Sequence, residues 1–422
     1  MPVTGFTLRA LARFIALAFA FIALPAAAQT PQPIKIGLSV SLTGGVAVNG
    51  KQVLLAMQIW RDDQNAKGGL LGRPVELVYY DDQSNPTNVP PIYTKLIEID
   101  KVDLCVGPYA TNMVVPAIPV LMQHNMATIG ITALIANHAF HYDKYFSMVG
   151  IGPDPKAAVA GGFFDVAMQQ NPKPKTVAIT ATDAEFSQVS AEAARAEAKR
   201  RGLNIVYDKS YPPTTTDFAP IVRAVDATSP DIVYNASYPP DTIGMLHAAN
   251  EVGLKTKMFG GNMIGLVSTT FKVQLGPLLN GVISTADQFV PGPKFNFPGV
   301  AEVLRKYSER AVKEGLDPLG YNFAPYSYGA LQILAQAAEA TKGLDQNKIG
   351  QYIHSHSFET VAGTIAFGPD GEWTKARVLV SQFQHVKGHD VAEFKDFSKQ
   401  VVVWPPEYKA GDLIYPYTEA RK

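Results

Sequence analysis

Apolar side chains alternate with other residues at Ile34, Ile36, Leu38 and Val40, the period-two pattern of a strand. The strand runs into the stretch Ser41-Leu42-Thr43-Gly44-Gly45. Over residues 53–65 the apolar positions Val53, Ala56, Met57 and Trp60 fall at helical spacing, and Gly68-Gly69 supply left-handed backbone to end that helix. Residues 74–80, rich in Val, Leu and Tyr, read as the next strand. Together these make one βαβ unit. In such units a ligand sits at the carboxyl ends of the strands, facing the N-terminus of the following helix. The loop at 41–50 is therefore expected to be one wall of a binding site.

The rhythm repeats along the chain. Helices are expected at 92–99, 157–168, 190–201, 217–226, 241–252, 299–313 and 326–340. Strands are expected at 102–106, 127–130, 145–148, 176–180, 205–207, 231–235, 257–259, 281–286 and 379–383. Pro116 and Pro119 should make the helix after residue 111 irregular. Alternation of this kind gives parallel sheets covered by helices on both faces. The fold class is α/β, with two Rossmann-like lobes and a three-segment hinge whose crossings lie near 152, 286 and 366. Lobe 1 then takes 29–152 and 287–366, and lobe 2 takes 153–286 and 367–422. Strand-end loops fall at 107–111, 131–133, 183–187, 236–238 and 260–262. There is no evident internal repeat and no low-complexity tract.

Composition narrows the function. With 37 basic and 37 acidic residues the formal net charge is zero, so no strong attraction to nucleic acid or a membrane surface follows. A length of 422 residues is large for one core and ordinary for two. The single cysteine, Cys105, permits no internal disulfide and reads as a small core residue. Arg9 and Arg13, the apolar run 14–24 and the small residues before Gln29 make residues 1–28 a secretory signal peptide, which implies a periplasmic protein. A membrane anchor is the alternative, but the run is about half the roughly 20 residues a spanning helix needs.

No phosphate-binding Gly-Lys-Ser/Thr loop, GxGxxG after a strand, GxSxG elbow or HExxH occurs. His354 and His356 are too few for a metal site. Asp81-Asp82 could be paired acids, or could end a strand and cap a turn. Neither metal nor cofactor is expected, and no enzymatic activity.

The run Ser41-Leu42-Thr43-Gly44-Gly45, the helix ending near Asn65 and the segment 68–86 resemble the periplasmic solute-binding proteins of branched-chain amino acid ABC transporters, the leucine-binding protein family. The resemblance covers nearly the whole chain after the signal, including Gly107-Pro108-Tyr109-Ala110-Thr111, which is similar to the family's Gly-Pro-x-x-Ser loop with Thr in the Ser position. It implies a monomeric protein that closes on a small molecule and delivers it to an inner-membrane permease. Carried over by position, lobe 1 would hold the ligand with Thr43, Tyr109, Thr111, Thr132 and the backbone at Ala110 and Gly130. Lobe 2 would close on it with Phe186, Tyr238 and Asn262. A small hydroxyl and free N–H groups at a helix start suit a carboxylate, although Thr111 could equally be a helix cap. Where the family has an acid to face an ammonium, this chain has Asn262, with Asp183 or Glu185 as substitutes. Tyr109, Phe186 and Tyr238 suit a flat apolar body. The expected ligand is thus a carboxylate without an α-amino group, an aromatic or aliphatic acid, with a branched-chain amino acid or a sensor role on the same fold as the alternatives.

Overall fold

The computed structural model describes Met1 and residues 31–422. The proposed signal peptide lies outside the described residues. Among the described residues, no helix is long and apolar enough to cross a membrane.

Five strands form the first sheet: β1 (Ile34–Val40), β2 (Val75–Asp81), β3 (Leu104–Val106), β4 (Thr128–Gly130) and β5 (Tyr145–Ser147). They lie in the order β2-β1-β3-β4-β5, all parallel. The second sheet is built from β6 (Thr176–Thr182), β7 (Asn204–Tyr211), β8 (Ile232–Ser237), β9 (Met258–Met263) and β10 (Val282–Ser284). A hairpin of β11 (Ser357–Thr360) and β12 (Gly363–Ala366) follows, and then β13 (Val380–Phe383) and β14 (Gln400–Trp404) join the second sheet. Its order is β14-β13-β10-β9-β8-β6-β7. The strands β6 to β10 are parallel, whereas β13 and β14 pair antiparallel at the edge beyond β10.

The five parallel strands of each lobe follow the same order, second-first-third-fourth-fifth. This duplication left no trace as a sequence repeat, because topology constrains where apolar residues fall and not which ones they are. In sheets of this order the crevice opens where the strand order reverses, between the first and third strands. Those points are β1/β3 in one lobe and β6/β8 in the other.

Helix Ala47–Ala66 begins within the stretch expected as loop. Gly50 permits this, because a Cβ there would stand 2.1 Å from the Ser41 carbonyl oxygen. The wall at 41–50 is therefore half helix. Gly260-Gly261-Asn262, expected as a strand-end loop, is strand β9 itself. Gly260 has φ +150°, and a Cβ on it would meet the Ile283 carbonyl oxygen of the neighbouring strand at 2.0 Å, so only glycine fits between β8 and β10 here. Helix Gln346–Ser355, which buries Ile349, Gly350 and Ile353, was not anticipated.

The largest apolar cluster runs without a break from Ile36 and Phe146 of lobe 1 to Val177 and Tyr234 of lobe 2. The hinge is thus packed as well as linked. The Trp373 indole N–H donates to the Ser147 carbonyl at 2.8 Å, and the Arg377 N–H donates to the Gly150 carbonyl at 2.6 Å, which ties the segment after β12 to the end of β5 and the residues that follow it.

Candidate ligand-binding cleft

The loop after β1 is held by two carboxylates. Asp81 accepts from the Leu42 N–H at 2.8 Å and the Thr43 hydroxyl at 2.7 Å. Asp82 is buried and accepts from Ser41 at 2.6 Å and Ser39 at 2.9 Å. Burial works to raise the Asp81 carboxyl, but hydrogen bonds from Thr43, Leu42 and Gln83 hold it below its ordinary value. Asp82 is raised, because burial outweighs its serine donors. The pair ends a strand and locks a turn, which leaves the exposed Thr43 hydroxyl committed to Asp81.

The loop after β3 is more strained. Ala110 has φ +79° and ψ +145°, a region that L-residues other than glycine rarely occupy. Its N–H donates to the Thr132 hydroxyl oxygen at 3.3 Å, while the Thr111 oxygen accepts from the Leu134 N–H at 3.0 Å. Thr111 does not cap its own helix through its side chain. The strand-end loops after β3 and β4 are thus stitched together by the two threonines. Tyr109 is sunk into the core, with its ring edge-on to Phe323 at 5.4 Å and its hydroxyl accepting from Asn49 at 2.8 Å. Gly130 is a packing position: a Cβ there would fall 2.2 Å from the Tyr145 hydroxyl.

From lobe 2, Phe186 stands in the first turn of helix Glu185–Arg200 and Tyr238 immediately precedes helix Pro239–Val252. Their rings pack at 5.3 Å between centroids. The Tyr238 hydroxyl crosses the cleft and donates to Asn112 Oδ1 of lobe 1 at 2.7 Å. Burial raises the phenols of Tyr109 and Tyr238 above their ordinary value, so both remain neutral.

Two cavities flank this ring pair. The outer cleft, of about 540 Å³, is lined by Gly45, Ser84, Asn112 and Val115 from lobe 1 and by Thr182, Glu185, Tyr238 and Asp241 from lobe 2. It opens at the two points of strand-order reversal. The inner cavity, of about 40 Å³, is lined by Thr132, Phe186 and Asn262 together with Thr285, Asp287, Gln288 and Arg377 near the hinge. Of the residues carried over by position, Tyr238 thus faces the outer space, and Thr132, Phe186 and Asn262 face the inner one. Thr43, Tyr109, Ala110, Thr111 and Gly130 line neither. Asp183 is exposed and lines neither, whereas Glu185 borders the outer cleft.

Sequence reasoning missed Asn112, Asp241 and Arg377. Asp241 stands in the first turn of helix Pro239–Val252, where an acidic residue is ordinary, and its carboxyl is raised by burial while the Thr182 hydroxyl donates to it. Its position after Tyr238-Pro-Pro was the only available signal. Arg377 lies far along the chain, in a crossing segment with no periodicity.

His354 and His356 do not converge: His354 contacts the carbonyls of Gly368 and Asp143, and His356 stacks on Tyr352 at 3.8 Å. Among the described residues no group of three or more His, Cys, Asp or Glu side chains could hold a metal ion. Cys105 is fully buried, and burial pushes its thiol up to about 12, far from a reactive thiolate.

A family profile described as periplasmic binding protein matches residues 33–387. The Leu/Ile/Val-binding protein homolog 2 of Brucella abortus is 25% identical over 361 residues, covering 85% of this chain and 91% of that one. Among solved structures, the substrate-binding protein LivJ of Streptococcus pneumoniae in complex with isoleucine superposes with a TM-score of 0.72 at 19% identity, over 91% of this chain and 100% of that one. A solute-binding protein from R. palustris in complex with 4-hydroxybenzoate superposes with a TM-score of 0.69 at 19% identity, over 85% of this chain and 94% of that one. At such identities the superpositions speak for the fold, two α/β lobes. The profile reaches into both sheets, and its members bind solutes and are not enzymes: this chain belongs to the periplasmic binding protein family.

Proposed function

We propose that the protein captures a small carboxylate-bearing solute between its lobes and delivers it, as a monomer, to an inner-membrane ABC permease. The observation that carries this reading is the meeting of strand ends from both lobes around Phe186 and Tyr238, with Tyr238 hydrogen-bonded across to Asn112. The solute lands on lobe 1, beside the strand-end loops that Thr43, Tyr109, Ala110, Thr111, Gly130 and Thr132 build. Phe186, Tyr238 and Asn262 then close over it. Closure is a hinge motion that excludes water and so strengthens each polar contact.

The preferred solute is an acid without an α-amino group, aromatic or aliphatic. Asn262 supplies no charge for an ammonium, and the Phe186–Tyr238 pair offers ring faces to a flat body. Losing a charge-assisted hydrogen bond costs an ammonium roughly 1.5–3 kcal/mol, at least about tenfold in affinity. A second reading, a branched-chain amino acid, draws on Glu185 and Asp241, two carboxylates that border the outer cleft. The relatives span both chemistries, one named for Leu, Ile and Val and one solved with 4-hydroxybenzoate.

Titration calorimetry separates the readings. Benzoates or short aliphatic acids should bind more tightly than leucine, isoleucine or valine. Micromolar binding of a branched-chain amino acid with none of the acids would reject the first reading. In that case Glu185→Gln or Asp241→Asn should remove the affinity.

The location reading has its own check. Intact mass of the protein recovered from periplasm should lack about the first 28 residues. A mature chain still beginning at Met1 would remove it.

A further inference from the structure

Arg377 is 7% exposed, and among the described residues no carboxylate lies within 4.0 Å of its guanidinium. One terminal nitrogen donates to the Tyr326 hydroxyl at 2.9 Å and to the Ala362 carbonyl at 2.6 Å. The guanidinium also lies against three rings, 4.8 Å from Trp373, 5.1 Å from Phe297 and 5.7 Å from Tyr326. Its Nε is buried and has no partner. Gln288 lines the same inner cavity, and its Oε1 is also buried without a partner. Buried polar atoms are nearly always hydrogen-bonded, and a buried charge is normally paired. With the Thr285 hydroxyl, which is buried without a partner too, three unpaired polar atoms on residues bordering one small cavity point to a polar guest.

The cavity's size and charge say what kind. A volume of about 40 Å³ holds two or three heavy atoms, not a whole amino acid or benzoate. Asp287 shares the wall, but its carboxylate is already held by Asn322 at 3.1 Å, Ser381 at 3.0 Å and Gln400 at 2.7 Å. Arg377 is the cation left for a guest. The Gln288 amide presents either its oxygen or its NH₂ by turning over, so it can accept from a hydroxyl or donate to a carboxylate.

We propose that the inner cavity is an anion subsite in which Arg377 receives the solute's carboxylate, while the rest of the solute lies in the outer cleft beyond the Phe186–Tyr238 pair. This rests on the carboxylate reading above and adds the residue that recognises the charge. It also ties capture to the hinge. Arg377 sits on the third crossing, its N–H bonded to Gly150 of the first and its side chain to Ala362 and Tyr326 of lobe 1. An anion bound there fixes the crossings relative to one another.

Sodium formate probes the subsite without a choice of solute. In thermal-shift titrations against sodium chloride at equal ionic strength, formate should raise the melting temperature of the wild type saturably. In Arg377→Gln the apparent formate affinity should fall at least tenfold, while Arg377→Lys should retain part of it. If Arg377→Gln does not fold, Gln288→Leu serves as the second variant, and its formate response should fall at least threefold. An unchanged response in whichever variant folds, or no saturable response in the wild type, overturns the proposal. A formate response that depends on Arg377, with no full-sized acid binding in calorimetry, would instead leave the subsite standing and reject the carboxylate-solute reading.

Discussion

Tyr238→Ala should weaken capture of the solute by roughly 30-fold to 1,000-fold. The ring is 9% exposed, packs on Phe186 at 5.3 Å and carries the hydroxyl that reaches lobe 1. An aromatic anchor at the centre of a closing surface typically accounts for about 2–4 kcal/mol when truncated. Tyr238→Phe isolates the hydroxyl. It keeps the ring and loses one neutral hydrogen bond, about 0.5–1.5 kcal/mol, so affinity should drop no more than roughly tenfold. Asn112→Ala removes the other end of that bond, and the double variant should add little beyond either single change. Phe186→Ala should resemble Tyr238→Ala. Calorimetry with the tightest-binding solute, alongside urea melts of the ligand-free proteins, separates lost affinity from lost folding. If Tyr238→Ala folds and binds as well as wild type, the ring pair does not form the closing surface.

Glu372→Gln should stabilise the protein at alkaline pH by about 4 kcal/mol. Glu372 is 4% exposed, and its Oε2 has no partner. Burial, and then the charge of Asp370, raise its carboxyl from 4.5 to about 8, with Ser147 working against them. The sign follows from which state holds the proton. Between the unfolded value of 4.5 and the folded value of about 8, the native state binds a proton that the unfolded chain has released. Stability from this group therefore falls as pH rises through that window and stays low above it. Glutamine keeps the neutral shape at every pH. Urea unfolding at pH 5 and pH 9 is the measurement: the wild type should lose stability between the two by more than the variant does. The same loss in both would show that Glu372 does not titrate in this window.

Much of the fold is written in periodicity. The strand at 34–40 and the helices near 157–168 and 241–252 are single-period segments bounded by glycine or proline, and each falls within a few residues of its observed place. The misses have particular causes. Gly50 reads as loop, but serves a close approach between a helix and the Ser41 carbonyl. Gly260-Gly261 reads as a strand end, but fills a gap between neighbouring strands. A strand is expected at 379–383, where β13 lies, but β14 is not anticipated, and the antiparallel pairing of the two has no short-range signature.

The cleft was less legible. A family pattern that marks strand ends singles out Phe186 and Tyr238, and the structure packs their rings together. Asn112 is one residue past the loop of interest and turns inward only because a helix starts there. Arg377 borders the inner cavity through tertiary contacts with segments about 15 to 227 positions away in the chain. No local window carries that information.

The antiparallel strands at the edge of the second sheet set an order of assembly. Strands β6 to β10 end at Ser284, but their sheet is completed only by residues 380–404, nearly a hundred positions later. Lobe 1 is interrupted in the same way, since helix Ala324–Thr341 packs on helix Ala47–Ala66 across the whole of lobe 2. Each lobe therefore closes a long loop before its core is whole, and contacts of such sequence separation form slowly. A chain cut off after residue 366 would present the bare edge of β10 with its backbone N–H and carbonyl groups unpaired. A nascent chain cannot finish lobe 1 until its returning helices have emerged, nor lobe 2 until β13 and β14 have, so most of its length stays uncompacted for longer than in a protein whose domains follow one another in sequence.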